Sequence, residues 1–536
     1  MAVDYIPEMA VRMRRLWRKY RWEIIFGIGL YLLTSIPYLL GYFRENSIWK
    51  FSGFVFGVED GNSYIAKMLS GSKGDWLFFS PYTAYPQKGF LAFLPYIIFG
   101  KFAASPGLHT QLVALFHFMR FIGGMMMVIA SYDFIAIFVN DEKYRRWGTV
   151  LASAGGGLGG AIVFTRLLGI NGWMPLEFYS PETFGFLGFF GLPHLAMGRA
   201  FLLLGLLSFI SSEKPLWLSG LLWIALGMMQ PLYVAVGWII LAGFIFILGC
   251  IAILRKDFTK NSSFVLYSKR ALSTVLISSL IVVPTLISFR NDPYLASWSE
   301  QNVILSPPAM DYLLAYGIFI PLYWTGIKKL LRNHTEPAVI LILSWILLMP
   351  VLAYFPYNLQ RRMPEGIWVA LVVVAIVGAN EVRLKYFSAI KVIFVISLIP
   401  ATLLIMGGIT TVWTPGEPLY RPGTEVEIFQ FLQLSAPKNT VILAEYSTAN
   451  AAPAWAPVRT VLGHGPESIN FEILEPEVQS FYEGNITGRK LYDWLKDLHV
   501  TYMICSKDKP AACSAIRPYA RRVISNKDYE LYQLSQ

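Results

Sequence analysis

A chain of 536 residues that is 55% hydrophobic and only 15% charged is too apolar for a soluble domain, where charged residues make up about a quarter. The net charge of +11 comes from 45 Lys and Arg against 34 Asp and Glu, spread in short clusters between apolar runs rather than pooled in one patch. That spacing excludes a nucleic-acid surface and fits basic loops on the inner side of a membrane, while the 16 Trp and 29 Tyr suit side chains anchored at membrane interfaces.

In chain order, a basic stretch with Arg12, Arg14, Arg15, Arg18 and Lys19 precedes the uncharged run Ile24–Phe43. That run is close to the about 20 residues a helix needs to cross a bilayer. No small-residue cleavage site follows it, so this first helix is expected to stay as an anchor with its N-terminus in the cytoplasm. Residues 44–109 are mixed in polarity and rich in Gly, Pro and aromatics, an extracytoplasmic loop. Within it Tyr64–Leu69 is helix-like, and Phe90–Ala104, broken by Pro95, Gly100 and Lys101, is expected to lie along the membrane surface.

Further crossings are expected at about 112–139, 148–164, 193–210, a pair within 216–254 broken at Gln230–Pro231, 271–289, a helix ending at Ile327, 338–355, 367–380 and 392–411. The tract Ser153–Gly160 suits close helix packing. Basic stops fall at Lys143–Arg146, Lys214, Arg255–Lys260, Lys328–Arg332 and Arg383–Lys385. About eleven crossings place nearly all of them inside and the C-terminus outside. From about residue 414 the apolar runs shorten to strand length, as in Thr440–Ala444 and Val500–Ile504, and alternate with helical patterns at Glu425–Leu434 and Arg489–Leu498. The expectation is a polytopic α-helical membrane domain, 1–413, followed by a small extracytoplasmic α/β domain, 414–536. Cys250 reads as inert core. Cys505 and Cys513 are a pair that an oxidising compartment could join, although spacing alone does not fix their distance.

Glu59 and Asp60 form an acidic pair beside Gly61 and Asn62. Asp60 suits two roles: a cap on the helix beginning near Tyr64, or a general base at the membrane surface. Tyr82 stands in the aromatic, Pro-rich stretch Phe79–Pro86, which suits the wall of a cleft. Arg361 and Arg362 break the positive-inside trend; an Arg fork binds phosphate oxygens bidentately, and an ion pair with Glu365 or lipid head groups is the alternative. Arg120 on a crossing helix, His194 at the start of another and Glu182 in the loop before it are further candidates for substrate binding, since ionisable groups at membrane depth are costly unless paired or used. Gly463-His464-Gly465-Pro466-Glu467-Ser468 reads as a tight turn, or a loop facing the site.

This layout resembles the GT-C glycosyltransferases, multi-pass enzymes that use lipid-phosphate-linked sugars, such as the protein O-mannosyltransferases and the aminoarabinose transferases of lipid A. Glu59-Asp60 matches their acidic position after the first helix. The Trp-Trp-Asp signature of oligosaccharyltransferases is missing, which argues against transfer to asparagine. The resemblance implies a sugar moving with inversion from a polyprenyl-phosphate donor, in the cell membrane, to a glycan, lipid or protein acceptor. Asp60 would act as base or hold a divalent cation, Mg or Mn, with Glu59 beside it. Arg361 and Arg362 would meet the leaving phosphate. A lipid or lipid-linked-sugar flippase, a polysaccharide polymerase or ligase, and a non-catalytic scaffold are the competing functions.

Overall fold

The computed structural model describes residues 5–170, 172–259 and 262–534, with side chains from Trp17 onward except Leu384. Lys260 and the side chains of Arg12, Arg14 and Arg15, counted above among the basic clusters, fall outside that set. Helices stand at every position where a crossing was expected. Among the described residues, seven segments are long and apolar enough to span a bilayer: Trp17–Phe43, Leu108–Ala136, Glu142–Leu167, Pro193–Ile210, Pro231–Arg255, Ser263–Asn291 and Lys385–Trp413. Leu218–Met229 and Pro337–Ala353 are shorter apolar helices. The protein is a polytopic α-helical membrane protein with a small C-terminal sheet domain.

The chain divides into two compact units, each assembled from separate stretches. The first comprises the stretch ending at Ile36 with Met119–Val283 and Ile304–Gly407; the second comprises Pro37–Phe118, Pro284–Val303 and the chain from Gly408 onward.

In the first unit, Gln230 is extended (φ −156°, ψ 101°) and Pro231 opens the next helix, so the break falls where the Gln-Pro pair placed it. The Ser153–Gly160 tract packs closely on neighbouring helices, as its small residues suggest: a Cβ on Gly157 would stand 1.8 Å from the Ala315 carbonyl oxygen and one on Gly160 2.5 Å from the Ile399 side chain. It ends one helix at Ala154 and starts another at Gly159. The Glu177 carboxylate accepts the Gly157 and Gly159 N–H groups, each at 2.9 Å, so small residues serve here to let an acid reach bare backbone. Close helix packing occurs also where helices Ile320–Leu331 and Ile367–Ser397 cross. A Cβ on Gly326 would stand 2.0 Å from the Val374 carbonyl oxygen, and one on Gly378 2.0 Å from that of Leu322. Buried Arg270 spends its guanidinium on the carbonyls of Phe209 (2.7 Å), Ser208 (2.6 Å) and Lys214 (3.0 Å), closing the C-terminal end of helix Pro193–Ile210. Trp223, Trp345 and Trp368 fill the core. Cys250, expected in the core, is exposed on its helix, where apolar lipid rather than protein would surround it.

In the second unit, five strands run β4-β3-β5-β7-β6, with β3 Thr440–Leu443, β4 Val458–Thr460, β5 Tyr502–Ser506, β6 Ala520–Ser525 and β7 Tyr529–Leu534. β3 pairs parallel with β4 and β5, and β7 antiparallel with β5 and β6. A separate ribbon pairs β1 (Trp49–Phe51) with β2 (Tyr420–Pro422), joining the first loop to the chain just beyond the last membrane helix. Arg421 closes this corner by pairing with buried Glu425 (Nε to carboxylate 2.6 Å). Of Phe90–Ala104 only Leu94–Gly100 is helical, too short for the fifteen-residue surface helix expected. Phe90 is instead held in a bridge to Phe78, and Phe93 takes a left-handed φ of 51°. This short helix crosses helix Val58–Ser72 at two glycines: a Cβ on Gly100 would lie 1.8 Å from the Met68 carbonyl oxygen. Cys505 and Cys513 are free thiols, with Cys513 donating to the Ser506 carbonyl (3.5 Å), so the pairing left open by the sequence is not made here.

The glycine crossing in the first unit gives a direct test. Gly378→Val should force the two helices apart and cost about 1–3 kcal/mol, read as a lower thermal midpoint in detergent; an unchanged midpoint would show that the helices do not meet there.

Candidate active site

The acidic pair lies in the first turn of a helix that starts at Val58, six residues before the expected start. Gly57, left-handed at φ 56°, occupies the cap position and no side chain caps the helix. Asp60 is therefore not the N-cap. Glu59 and Asp60 still sit where a helix favours negative charge.

Asp60, Ser63 and Lys67 follow one another at i, i+3 and i+7, a single stripe along this helix. The loop Gly463–Ser468 lies on the stripe. His464 Nε2 is 3.2 Å from Asp60 Oδ1, and an ionised carboxylate can only accept, so the imidazole donates. Three residues further, Glu467 accepts from the Ser63 hydroxyl (3.1 Å) and from the Lys67 ammonium (2.8 Å). Lys67 is buried, with the Phe93 ring 4.2 Å away. His464 Nδ1 faces Glu467 Oε1 at 3.8 Å, so the ring stands between two carboxylates. Asp60, with its side chain 56% exposed, is the accessible end of this line, and Lys67 the buried end.

The loop is itself held on several sides. Ser468 Oγ accepts the N–H groups of Gly463 (3.1 Å) and His464 (3.3 Å). Tyr294 donates to the Glu467 carbonyl (3.2 Å), and Gln301 Nε2 to those of Pro466 (3.3 Å) and Ser468 (3.1 Å). Tyr82 stacks on His464 with ring centres 5.4 Å apart and donates to the Asn450 carbonyl. Glu59 takes a different partner: the Tyr446 hydroxyl donates to it at 3.1 Å and accepts Gly465 N–H at 3.1 Å. Burial pushes the Tyr446 phenol up to about 12, and Glu59 adds to the shift, so this hydroxyl stays a donor at neutral pH. For His464, burial alone would lower the pKa. The Glu467 and Asp60 carboxylates outweigh it and hold the value above 6.5, with Lys67 opposing.

The remaining candidates belong to the first unit. Arg361 and Arg362 form a short turn with Gln360. Arg362 Nε is 3.6 Å from the buried Glu182 carboxylate, and the Arg361 guanidinium lies 5.0 Å from the Tyr179 ring centre. Glu365, one alternative partner for these arginines, binds Arg199 at 2.7 Å, and Arg199 also donates to the carbonyls of Pro181 and Glu182. Burial raises the Glu365 carboxyl to about 7, against the pull of Arg199. His194 is buried at the second position of its helix, behind Leu192 at the cap, so it does not cap that helix. Arg120 is buried and donates to the carbonyls of Phe190 (2.9 Å) and Thr34 (3.3 Å) and to the Ser35 hydroxyl (2.6 Å), a set of partners that knits helices together.

Among the described residues no three His, Cys, Asp or Glu side chains gather as a metal site. The two nitrogens of His464 diverge toward separate carboxylates, so Asp60, His464 and Glu467 do not converge on one point. Among the described residues, those around Asp60 do not form a cage for the divalent cation expected there. His464, Glu467, Lys67 and Tyr446 were not assigned to the site from sequence. The polar stripe at 60, 63 and 67 was the available signal for Lys67 alone; nothing local pairs it with a loop 400 residues away.

Comparison with protein-family models gives no match, and none arises with curated proteins. Solved structures do match in fold. The oligosaccharyltransferase AglB of Archaeoglobus fulgidus, in complex with an inhibitory peptide and a dolichol-phosphate, is 13% identical over 97% of this chain and 75% of its own, with a TM-score of 0.50. The arabinofuranosyltransferase AftD from Mycobacteria is 12% identical over 96% of this chain, with a TM-score of 0.54; the present chain spans 40% of its length. ArnT from Cupriavidus metallidurans, bound to undecaprenyl phosphate, is 13% identical over 94% of this chain and 97% of its own, with a TM-score of 0.45. The chain has the GT-C fold.

A histidine raised above 6.5 stabilises the folded state fully below that value, and the stabilisation is lost as pH rises through the higher folded-state pKa. Thermal midpoints measured across pH should therefore show wild type most above His464→Gln in acid, with the gap closing through neutral and alkaline pH. A gap that widens with pH would show that His464 is neutral in the fold.

Proposed function

We propose that this protein transfers a sugar from a polyprenyl-phosphate donor to an acceptor hydroxyl on the extracytoplasmic side of a membrane, with Asp60 as the general base. The observation that carries this is an accessible carboxylate in the first turn of helix Val58–Ser72, bonded to an imidazole, in a chain with the GT-C fold. The polyprenyl-phosphate class of donor is supported by AglB, a neighbour of this fold solved with a dolichol-phosphate.

The acceptor O–H would lose its proton to Asp60 as its oxygen attacks the anomeric carbon. The bond from that carbon to the phosphate oxygen breaks, its electron pair leaves on the polyprenyl phosphate, and the configuration inverts. The leaving phosphate gains negative charge. Arg361 and Arg362, in a turn outside the helices, are our candidates to receive it, because a guanidinium fork matches phosphate oxygens. Glu182 holds Arg362 without covering it: 29% of that side chain stays exposed. A cytoplasmic N-terminus is part of this proposal, and so is an envelope glycan, lipid or protein as acceptor.

Release of polyprenyl phosphate from synthetic short-chain polyprenyl-phosphate hexoses and pentoses tests it, with purified full-length protein and an envelope glycolipid extract as acceptor. Asp60→Asn should slow release by about 10²–10⁴-fold. An undiminished rate would move the base elsewhere, to Glu59 first. No release by wild type, together with movement of labelled lipid across vesicles, would replace the transferase by a flippase. In the same assay Arg362→Ala should slow turnover by about 10²-fold, as removal of a charge-stabilising donor does; an effect confined to expression level would assign Arg362 to the fold alone.

A further inference from the structure

We propose that His464 is the positioning residue for Asp60, holding Oδ1 through its Nε2–H so that the second carboxylate oxygen takes the proton of the acceptor. The inference rests on the transferase reading above and adds to it a residue from the C-terminal part of the chain.

The geometry has four independent supports. The contact is direct, 3.2 Å between nitrogen and oxygen. The ring is fixed in its plane by Tyr82 stacked against it. Its backbone is fixed by Ser468, which accepts two consecutive N–H groups. The far side of the ring is set by Glu467, whose Oε1 is held by Lys67 and Ser63 and faces Nδ1. A base, an orienting group hydrogen-bonded to it and a third group that orients the second is the arrangement by which active sites hold a reacting side chain in one conformation.

The flanking glycines explain why the histidine stands where it does. A Cβ on Gly463 would come within 2.8 Å of the Ala449 backbone, and Gly465 has a φ of +26°. Gly463 permits this close approach, and the positive φ of Gly465 turns the chain back in time for Glu467 to reach Lys67. The groups that face the imidazole are Asp60 and Lys67 from helix Val58–Ser72, Tyr82 from the first loop and Glu467 from its own loop. Tyr446, bonded to Gly465 N–H, braces the same loop while serving Glu59. During transfer the acceptor proton ends on Asp60, and the His464 N–H stays on nitrogen throughout.

Two measurements on full-length protein in detergent test this. In nitrogen NMR of histidine-labelled protein, the His464 Nε2 resonance should be that of a protonated, hydrogen-bonded nitrogen, and should shift in Asp60→Ala, a change at an exposed position that leaves the core intact. In the polyprenyl-phosphate release assay, His464→Ala should lower kcat by about 10–10²-fold, the scale of a misplaced reacting group, with KM for the donor within about twofold. His464→Gln, which keeps an amide N–H near the place of Nε2, should recover most of that loss. An Nε2 resonance indifferent to Asp60→Ala overturns the proposal whatever the assay gives. A KM effect, or a loss that Gln does not rescue, overturns it in favour of a packing role. An intact NMR contact in a wild-type protein that releases nothing from any donor overturns the transferase reading and, with it, the positioning role.

Discussion

The buried pair of Lys67 and Glu467 is the constraint on which the candidate site depends. Lys67 is an ammonium with no exposed side-chain surface, and leaving such a charge unpaired inside a protein costs several kcal/mol. The only economical solution is a carboxylate delivered to it, and Glu467 arrives from a loop 400 residues later. Once Glu467 is fixed on Lys67 and Ser63, the three-residue spacing back to His464 matches the helical spacing back to Asp60. The loop can dock in one register only. A slip of one residue would leave Lys67 bare and take the imidazole off Asp60. The pair thus specifies geometry more than it adds stability, which is the best-attested use of buried ionic groups.

Hydropathy is a strong signal, and the helices of the membrane region were legible from it, including the break at Gln230–Pro231, where a proline forbids continuation. The same signal misled where backbone chemistry overrode composition. Ser153–Gly160 reads as one packing stripe inside a crossing, yet the helix breaks there, and the bare N–H groups of Gly157 and Gly159 bond Glu177 where the next helix begins. Phe90–Ala104 looks like a surface helix, yet Phe90 is taken into a bridge with Phe78 and only seven residues remain helical. Helix Val58–Ser72 begins earlier than its apolar residues suggest, because Gly57 can adopt a left-handed conformation that lets Val58, Glu59 and Asp60 join the first turn.

The candidate site was legible on one side only. Glu59, Asp60 and Tyr82 stand out locally, as an acidic pair and as part of a rigid aromatic stretch. Their partners do not, because a contact between residues 60 and 464 leaves no periodicity. The Gly-His-Gly loop was visible as a turn, and what it faces was left open. A similar limit applies in the first unit. Two arginines at 361 and 362 asked for counter-charge, and the sequence left open a phosphate, the nearby Glu365 or lipid head groups. Glu365 is instead buried against Arg199, while Arg362 meets Glu182. Two arginines and two glutamates therefore balance there, and Arg361 rests over the Tyr179 ring without a carboxylate of its own among the described contacts.

Two carboxylates adjacent in sequence have acquired different surroundings, and this difference separates their roles. Glu59 is bonded to a phenol whose own oxygen is engaged by Gly465 N–H, so its partner is a neutral donor fixed by backbone. Asp60 is bonded to an imidazole set between two carboxylates, so its partner carries positive charge that the surroundings favour. The two carboxylates therefore meet different donors, a neutral phenol and an imidazole. Paired acids in active sites divide their labour in this way, through environment rather than residue type. Both partners come from the C-terminal part of the second unit, Tyr446 following β3 and His464 following β4. The C-terminal part of the chain, which carries no acidic pair of its own, therefore gives two neighbouring acids of the first loop different partners.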